Sequence, residues 1–250
     1  MVGSLVLRGF IVGIFAGLLA FGWAKVFAEP SIGAAINFES AQDEAKAAAA
    51  VAAGKKPEPE MPEIFSRTVQ GGVGLLTGLV VIGAGIGCLF AIMFAFANGR
   101  VGDLGPGPTA ALLAFLSLMS VYVIPSLKYP ANPPSVGEPE TIKYRTGLYF
   151  LMMAISIAST MGAYLLRRRL AHRYGSWNGS LIAIATYLIV ISFFFLILPG
   201  INEVPATFPA VTLWNFRLAS LSTQIVLWGS AAVMFGYAGA AALAGKNSVR

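Results

Sequence analysis

Cutting the chain at every Asp, Glu, Lys and Arg leaves six long stretches without charge: residues 9–24, 68–99, 104–127, 146–166, 174–202 and 218–245. A helix needs roughly 20 apolar residues to cross the hydrocarbon core of a bilayer, and five of the stretches reach that length by themselves. The first reaches it if Leu5–Leu7 joins and Arg8 snorkels to the interface. Barrel strands would alternate apolar and polar residues, whereas 188–198 is almost unbroken apolar. Composition agrees. Charged residues make up 11% of the chain, under half the usual share for a soluble domain, so lipid must cover much of the surface. The expected fold is an all-α polytopic membrane protein with about six spans. It forms a single transmembrane domain over 1–250, and residues 28–66 form an extracytoplasmic loop between the first two helices.

A cleaved signal peptide is the rival reading of the first stretch, because Val26-Phe27-Ala28 offers small residues at a cleavage position. Gly9, Gly13 and Gly17 argue for retention, since glycines four apart share one helix face and allow close packing. Gly74/Gly78 and Gly83/Gly87 repeat the spacing and mark the second span as the partner of the first. Charge sets the orientation. With the N-terminus inside, the inner segments carry Arg8, Arg100, Arg167, Arg168, Arg169, Arg173, Lys246 and Arg250 against the single acid Asp103. The outer segments hold nearly balanced charge, so the positive-inside rule gives N-in and C-in. The net charge of +6 is explained by this layout and calls for no nucleic-acid partner.

Within the long outer segment the alanine run near 45–53 has the composition of a helix. The following Pro57–Pro62 reads as a mobile linker. The other outer loops are short and proline-rich. Each outward-going helix ends in a polar phrase with proline, namely Ala28-Glu29-Pro30, Lys128 to Pro134, and Asn202-Glu203-Val204-Pro205. Each returning helix opens with an arginine: Arg67, Arg145 and Arg217. Glu29, Asn132, Asn202 and Glu203 thereby fall on one membrane face, as oxygen ligands for a cation in an outer vestibule. The three arginines hold them in place. Interfacial anchoring is the plainer role for the arginines.

No Asp, Glu, Lys or Arg interrupts the six stretches, which removes the usual carboxylate of a proton-coupled pump. Gln224, beside Thr223 about two turns into the last span, is the polar residue best placed for a structural or interface role. Most of the remaining hydroxyls serve as helix–helix contacts. One Cys and one His exclude a disulfide framework and a built-in zinc or iron–sulfur site. Met152, Met153 and Met161 read as core filler before they read as soft ligands. No phosphate-binding loop and no nucleophile–base set is present, so the chain is not read as an enzyme and calls for no cofactor.

The phrases from Arg8-Gly9 to Gly22, Phe27-Ala28-Glu29-Pro30, Lys128-Tyr129-Pro130-Ala131-Asn132-Pro133-Pro134, Arg145-Thr146-Gly147-Leu148-Tyr149-Phe150, Asn202-Glu203-Val204-Pro205, and Trp214 to Gln224 resemble the cobalt transporter subunit CbtA family. The resemblance covers nearly the whole chain. It implies a multi-pass protein of the bacterial plasma membrane that takes up cobalt for vitamin B12 biosynthesis, working with a small one-span CbtB-like subunit. The chain departs from the family pattern in having no histidine in its first outer loop, which moves any soft-ligand role to a partner. It also shows six stretches where the family is described with five. The expected function is that of a permease subunit for a divalent metal ion. The alternative is a non-transporting accessory subunit of a membrane complex.

Overall fold

The computed structural model describes residues 2–55, 65–134 and 136–247, with side chains through residue 241. The linker reading of Pro57–Pro62 lies outside the described residues. Among the described residues every regular element is helical. We label them α1 (Val2–Phe27), α2 (Glu29–Ala52), α3 (Arg67–Ala97), α4 (Pro106–Lys128), α5 (142–174), α6 (176–197) and α7 (Ala210–Asn247). Among the described residues, five helical stretches are long and apolar enough to cross a membrane, and one of them, Pro139–Ile197, is 59 residues long.

That 59-residue stretch is two spans. Gly175 breaks it with φ 78° and ψ 160°, a backbone region open to little but glycine. The Arg167 Nε donates to Ser180 Oγ at 2.9 Å, although thirteen residues of straight helix would separate them by roughly 20 Å. The chain therefore reverses at Gly175. A Cβ added at Gly179 would sit 2.9 Å from the backbone nitrogen of Ala171, so a second glycine lets the two arms close. Six spans result, as the charge-free stretches require. Replacing Gly175 with alanine is expected to destabilise the protein by about 1–3 kcal/mol, read as a lower unfolding temperature in detergent. An unchanged temperature would mean that the turn has other conformations available.

Residues 28–66 are not simply a loop. Helix continues from Glu29 through Ala52, well upstream of the alanine run. The α1 helix ends one residue earlier because Pro30, in the first turn of α2, has no N–H to continue the ladder. The early part of α2 is held by tertiary contacts more than by propensity. Ala35 is fully buried in a cluster with Val136 and Phe208, and Phe38 meets Phe208 edge to face at 5.1 Å. Gln42 donates to Thr207 at 3.2 Å. Beyond it the side chains are mostly exposed, and only alanine's propensity sustains the helix.

Contacts divide the chain into two compact units. The first comprises residues 1–114, 132–136 and 204–250, the second 115–131 and 137–203. In the first unit α1 and α3 run antiparallel at backbone contact. Gly9 faces Gly87, Gly13 faces Gly83, and Gly17 faces Leu79. Gly74 and Gly78 take no part in this contact; an added Cβ at Gly78 meets nothing within 4 Å. Phe90 and Phe94 of α3 pack edge to face on Phe235 of α7, with centroids 5.3 and 5.1 Å apart. Arg8 does not simply snorkel away: its Nη1 donates to the Ala238 carbonyl of α7 at 2.7 Å. Trp228, 5% exposed, is part of the core.

In the second unit Pro125 is buried in α4. Proline cannot donate to the carbonyl four residues back, and that carbonyl, Val121, accepts instead from the Tyr149 hydroxyl of α5 at 3.2 Å. The backbone before it, Leu118–Val123, is a π-helical turn, a usual response to such a misfit. Lys128 donates to the Phe195 carbonyl at 2.7 Å, and the Tyr129 hydroxyl to Pro199 at 2.9 Å. Both bonds tie the end of α4 to that of α6 around a core of Ile124, Leu148, Met152 and Ile191.

Candidate functional site

Each of the three arginines that open returning helices contacts a polar side chain at another helix end. In the first unit Arg67 Nη2 lies 2.6 Å from Glu29 Oε2. Glu29 opens α2, where the N-terminal end of the helix dipole favours a carboxylate. Gly71, in a π-helical turn at the start of α3, makes this possible, because a Cβ there would meet the Glu29 carboxylate at 2.5 Å. Lys25 donates to the Gly71 carbonyl at 2.8 Å, so the ends of α1, α2 and α3 form one knot. Also in this unit, Arg217 Nη2 donates to Asn132 Oδ1 at 2.9 Å.

In the second unit Glu203 is the acceptor, and three donors converge on its Oε2. The Glu138 backbone N–H and the Thr141 hydroxyl each donate at 2.9 Å. Arg145 Nε stands 3.2 Å away as an ion pair without the alignment of a hydrogen bond. Glu203 is partly shielded, at 18% exposed. The Glu138 amide first, then the Thr141 hydroxyl, then the Arg145 charge hold its carboxyl below the usual carboxylate range. A carboxyl lowered in the folded state contributes stability above the ordinary glutamate range and loses it as pH falls through the lowered value. Melting of Glu203→Gln against the parent should therefore differ at neutral pH and converge in acid. A gap that persists at low pH would mean that packing, not charge, sets the difference.

The contacts of the three arginines follow a crossed pattern. Arg67 takes the glutamate of its own hairpin. Arg145 takes Glu203 from the third hairpin, while Arg217 takes Asn132 from the second. Asn202 is exposed, and its side chain makes no hydrogen bond among the described residues. Gln224 is half-buried and likewise has none, while its neighbour Thr223 donates to Ala219 at 2.7 Å. Glu29 and Asn132 belong to the first unit, Asn202 and Glu203 to the second. Among the described residues no group of three or more His, Cys, Asp or Glu side chains comes together. Sequence reasoning missed Gly71, Thr141 and Lys25. The only written signal was the Gln70-Gly71-Gly72 run shortly after Arg67, in a span where Gly83 and Gly87 serve helix packing.

What this arrangement can do chemically is bounded. Each glutamate has its arginine contact on Oε2. Oε1 remains the oxygen that a passing cation would meet, a weak hard-oxygen ligand rather than a tight chelate. Six apolar spans with arginine-closed ends define a polytopic helical membrane protein. The chain belongs to the CbtA family, described as a probable cobalt transporter subunit, whose model matches residues 2–239. That is a class of transporter subunits, working with other subunits, and not a class of enzymes. No curated protein and no solved structure matches the chain.

Proposed function

We propose that this chain is the permease subunit of a cobalt uptake system in a bacterial plasma membrane, oriented N-in and C-in, supplying vitamin B12 biosynthesis. Its partner in this reading is a small one-span CbtB-like subunit that brings the soft ligands this chain lacks. The observation that carries the reading is membership of the CbtA family over nearly the whole chain. Six spans free of acidic side chains in their apolar stretches are consistent with it, as is a pair of outer glutamates whose Oε1 atoms have no bond among the described residues. Asn132 in the first unit and Asn202 in the second would add further oxygens at the helix ends, while Arg67, Arg145 and Arg217 hold those ends. Weak oxygen ligands suit a site that must release its ion.

The second reading is a non-transporting accessory subunit. The observation that favours it is that Glu29, Glu203 and Asn132 are each held by an arginine, as helix-end fasteners would be. Cobalt accumulation in cells expressing this chain alone, the small subunit alone, and both together separates the two. A permease gives uptake that depends on this chain and is raised by its partner. Uptake by the partner alone, unchanged when this chain is added, would establish the accessory role.

A further inference from the structure

The reversal at Gly175 gathers a concentrated positive charge that the fold leaves unneutralised. Arg167, Arg168, Arg169, His172 and Arg173 are all exposed. Among the described residues none of them is in an ion pair. The acids of the same unit, Glu138, Glu140 and Glu203, cluster at the opposite end of α5. Twenty-five residues of helix separate Arg167 from that end, about 37 Å.

The depth of the cluster follows from helix length. The charge-free part of α5, residues 146–166, is about 31 Å long and fills the hydrocarbon core. Arg167 is the first residue beyond it, and the turn carries the chain roughly another 12 Å, through the headgroup layer. Two aromatic residues accompany the charge. The Arg173 guanidinium lies 5.3 Å from the centre of the Tyr174 ring, and Trp177, on the returning arm, is 75% exposed. Amphipathic aromatics are at home at headgroup depth. Ser180 holds Arg167 by its Nε, which leaves both terminal nitrogens of the fork for an external anion.

We propose that the α5–α6 turn is a binding site for the phosphate headgroups of anionic phospholipids. Arg168, Arg169 and Arg173 supply the charge, Arg167 supplies a pre-aimed fork, and Tyr174 and Trp177 set the turn at the depth of the glycerol–phosphate layer. Anionic lipid then fixes the α5–α6 hairpin at its inner end, while the Glu203 contacts fix α5 at the other.

The test measures thermal stability and lipid retention of the purified full chain titrated with phosphatidylglycerol, with phosphatidylcholine, with inorganic phosphate, and with a short single-stranded DNA. A basic residue at a membrane surface is worth about a fivefold change in affinity. R168Q/R169Q/R173Q should therefore weaken phosphatidylglycerol retention by about a hundredfold and abolish the stabilisation that phosphatidylglycerol gives over phosphatidylcholine. R168K/R169K/R173K should keep most of both, and it guards against misfolding or reorientation of the neutral variant. Equal retention by the glutamine variant, or loss in the lysine variant as complete as in the glutamine one, overturns the proposal. So does stabilisation by phosphate or DNA as large as by phosphatidylglycerol, since the site would then be one for soluble anions.

Discussion

Alanine at Gly83 is expected to lower the unfolding temperature in detergent by roughly 6–12 °C, and leucine there to leave little folded protein in the membrane. A Cβ at Gly83 would overlap the Gly13 carbonyl and stand 3.1 Å from the Gly17 Cα. Both are backbone atoms, so no side chain can rotate away. Overpacking costs about 1–3 kcal/mol where neighbours can yield, and these cannot, which puts the substitution at the upper end. About 3 kcal/mol corresponds to that temperature interval for a chain of this size. In lipid no hydrophobic force draws helices together, so close backbone approach is what holds α1 to α3. Gly78→Ala and Gly85→Ala provide the contrast, because nothing lies within 4 Å of either added methyl. Glycine costs about 1 kcal/mol against alanine within a helix, so these variants should be neutral or slightly more stable. If Gly83→Ala behaves like Gly78→Ala, the two helices are not in backbone contact at this point.

The same glycines show how much of the fold can be read from the chain. A four-residue spacing places Gly9, Gly13 and Gly17 on one face, and the facing pair Gly83/Gly87 has the same spacing. Those five glycines were legible because helical periodicity is local, while the same spacing at Gly74/Gly78 pointed to a contact that the structure does not make. The six spans were legible for a related reason: charge is excluded from the hydrocarbon layer wherever it falls in the sequence. The helix over 29–44 was not. Its sequence carries no strong propensity, and the burial of Ala35 and the Phe38–Phe208 contact decide its state. Val136 lies 101 positions from Ala35 and Phe208 lies 170 from Phe38, and a local pattern holds no record of them.

At the candidate site the divide is the same. That Glu29, Glu203, Asn132 and the three arginines would matter at helix ends was visible from repeated phrases. Which arginine would take which acceptor was not, because Arg145 and Arg217 exchange the acceptors of the second and third hairpins. Gly71 escaped notice because its role is to be small beside a carboxylate that precedes it by 42 positions.

Glutamine at Glu29 and at Glu203 is expected to cut cobalt uptake by about tenfold while leaving protein abundance unchanged. Glutamine keeps an oxygen that can accept from Arg67, or from the Glu138 amide, the Thr141 hydroxyl and Arg145. The helix ends therefore stay fastened and only the negative charge is removed. A cleft lined by charge raises the local counter-ion concentration by ~10-fold or more, and that gain is what the substitutions abolish. Stability should fall only slightly, for Glu203→Gln by the melting difference expected at neutral pH, because the neutral amide can still accept from the same donors. The two carboxylates are 15% and 18% exposed, which places them between a surface pair and a buried one. Abundance must therefore be measured alongside uptake. Glu44→Gln, on the exposed part of α2, removes the same charge away from any helix-end contact and should transport normally. The accessory-subunit view predicts the opposite pattern: arginine-held carboxylates that only fasten helices can lose their charge without loss of transport. Normal uptake by both variants at normal abundance would remove the outer carboxylates from the mechanism. A loss confined to Glu203→Gln would place the ion's entry in the second unit alone.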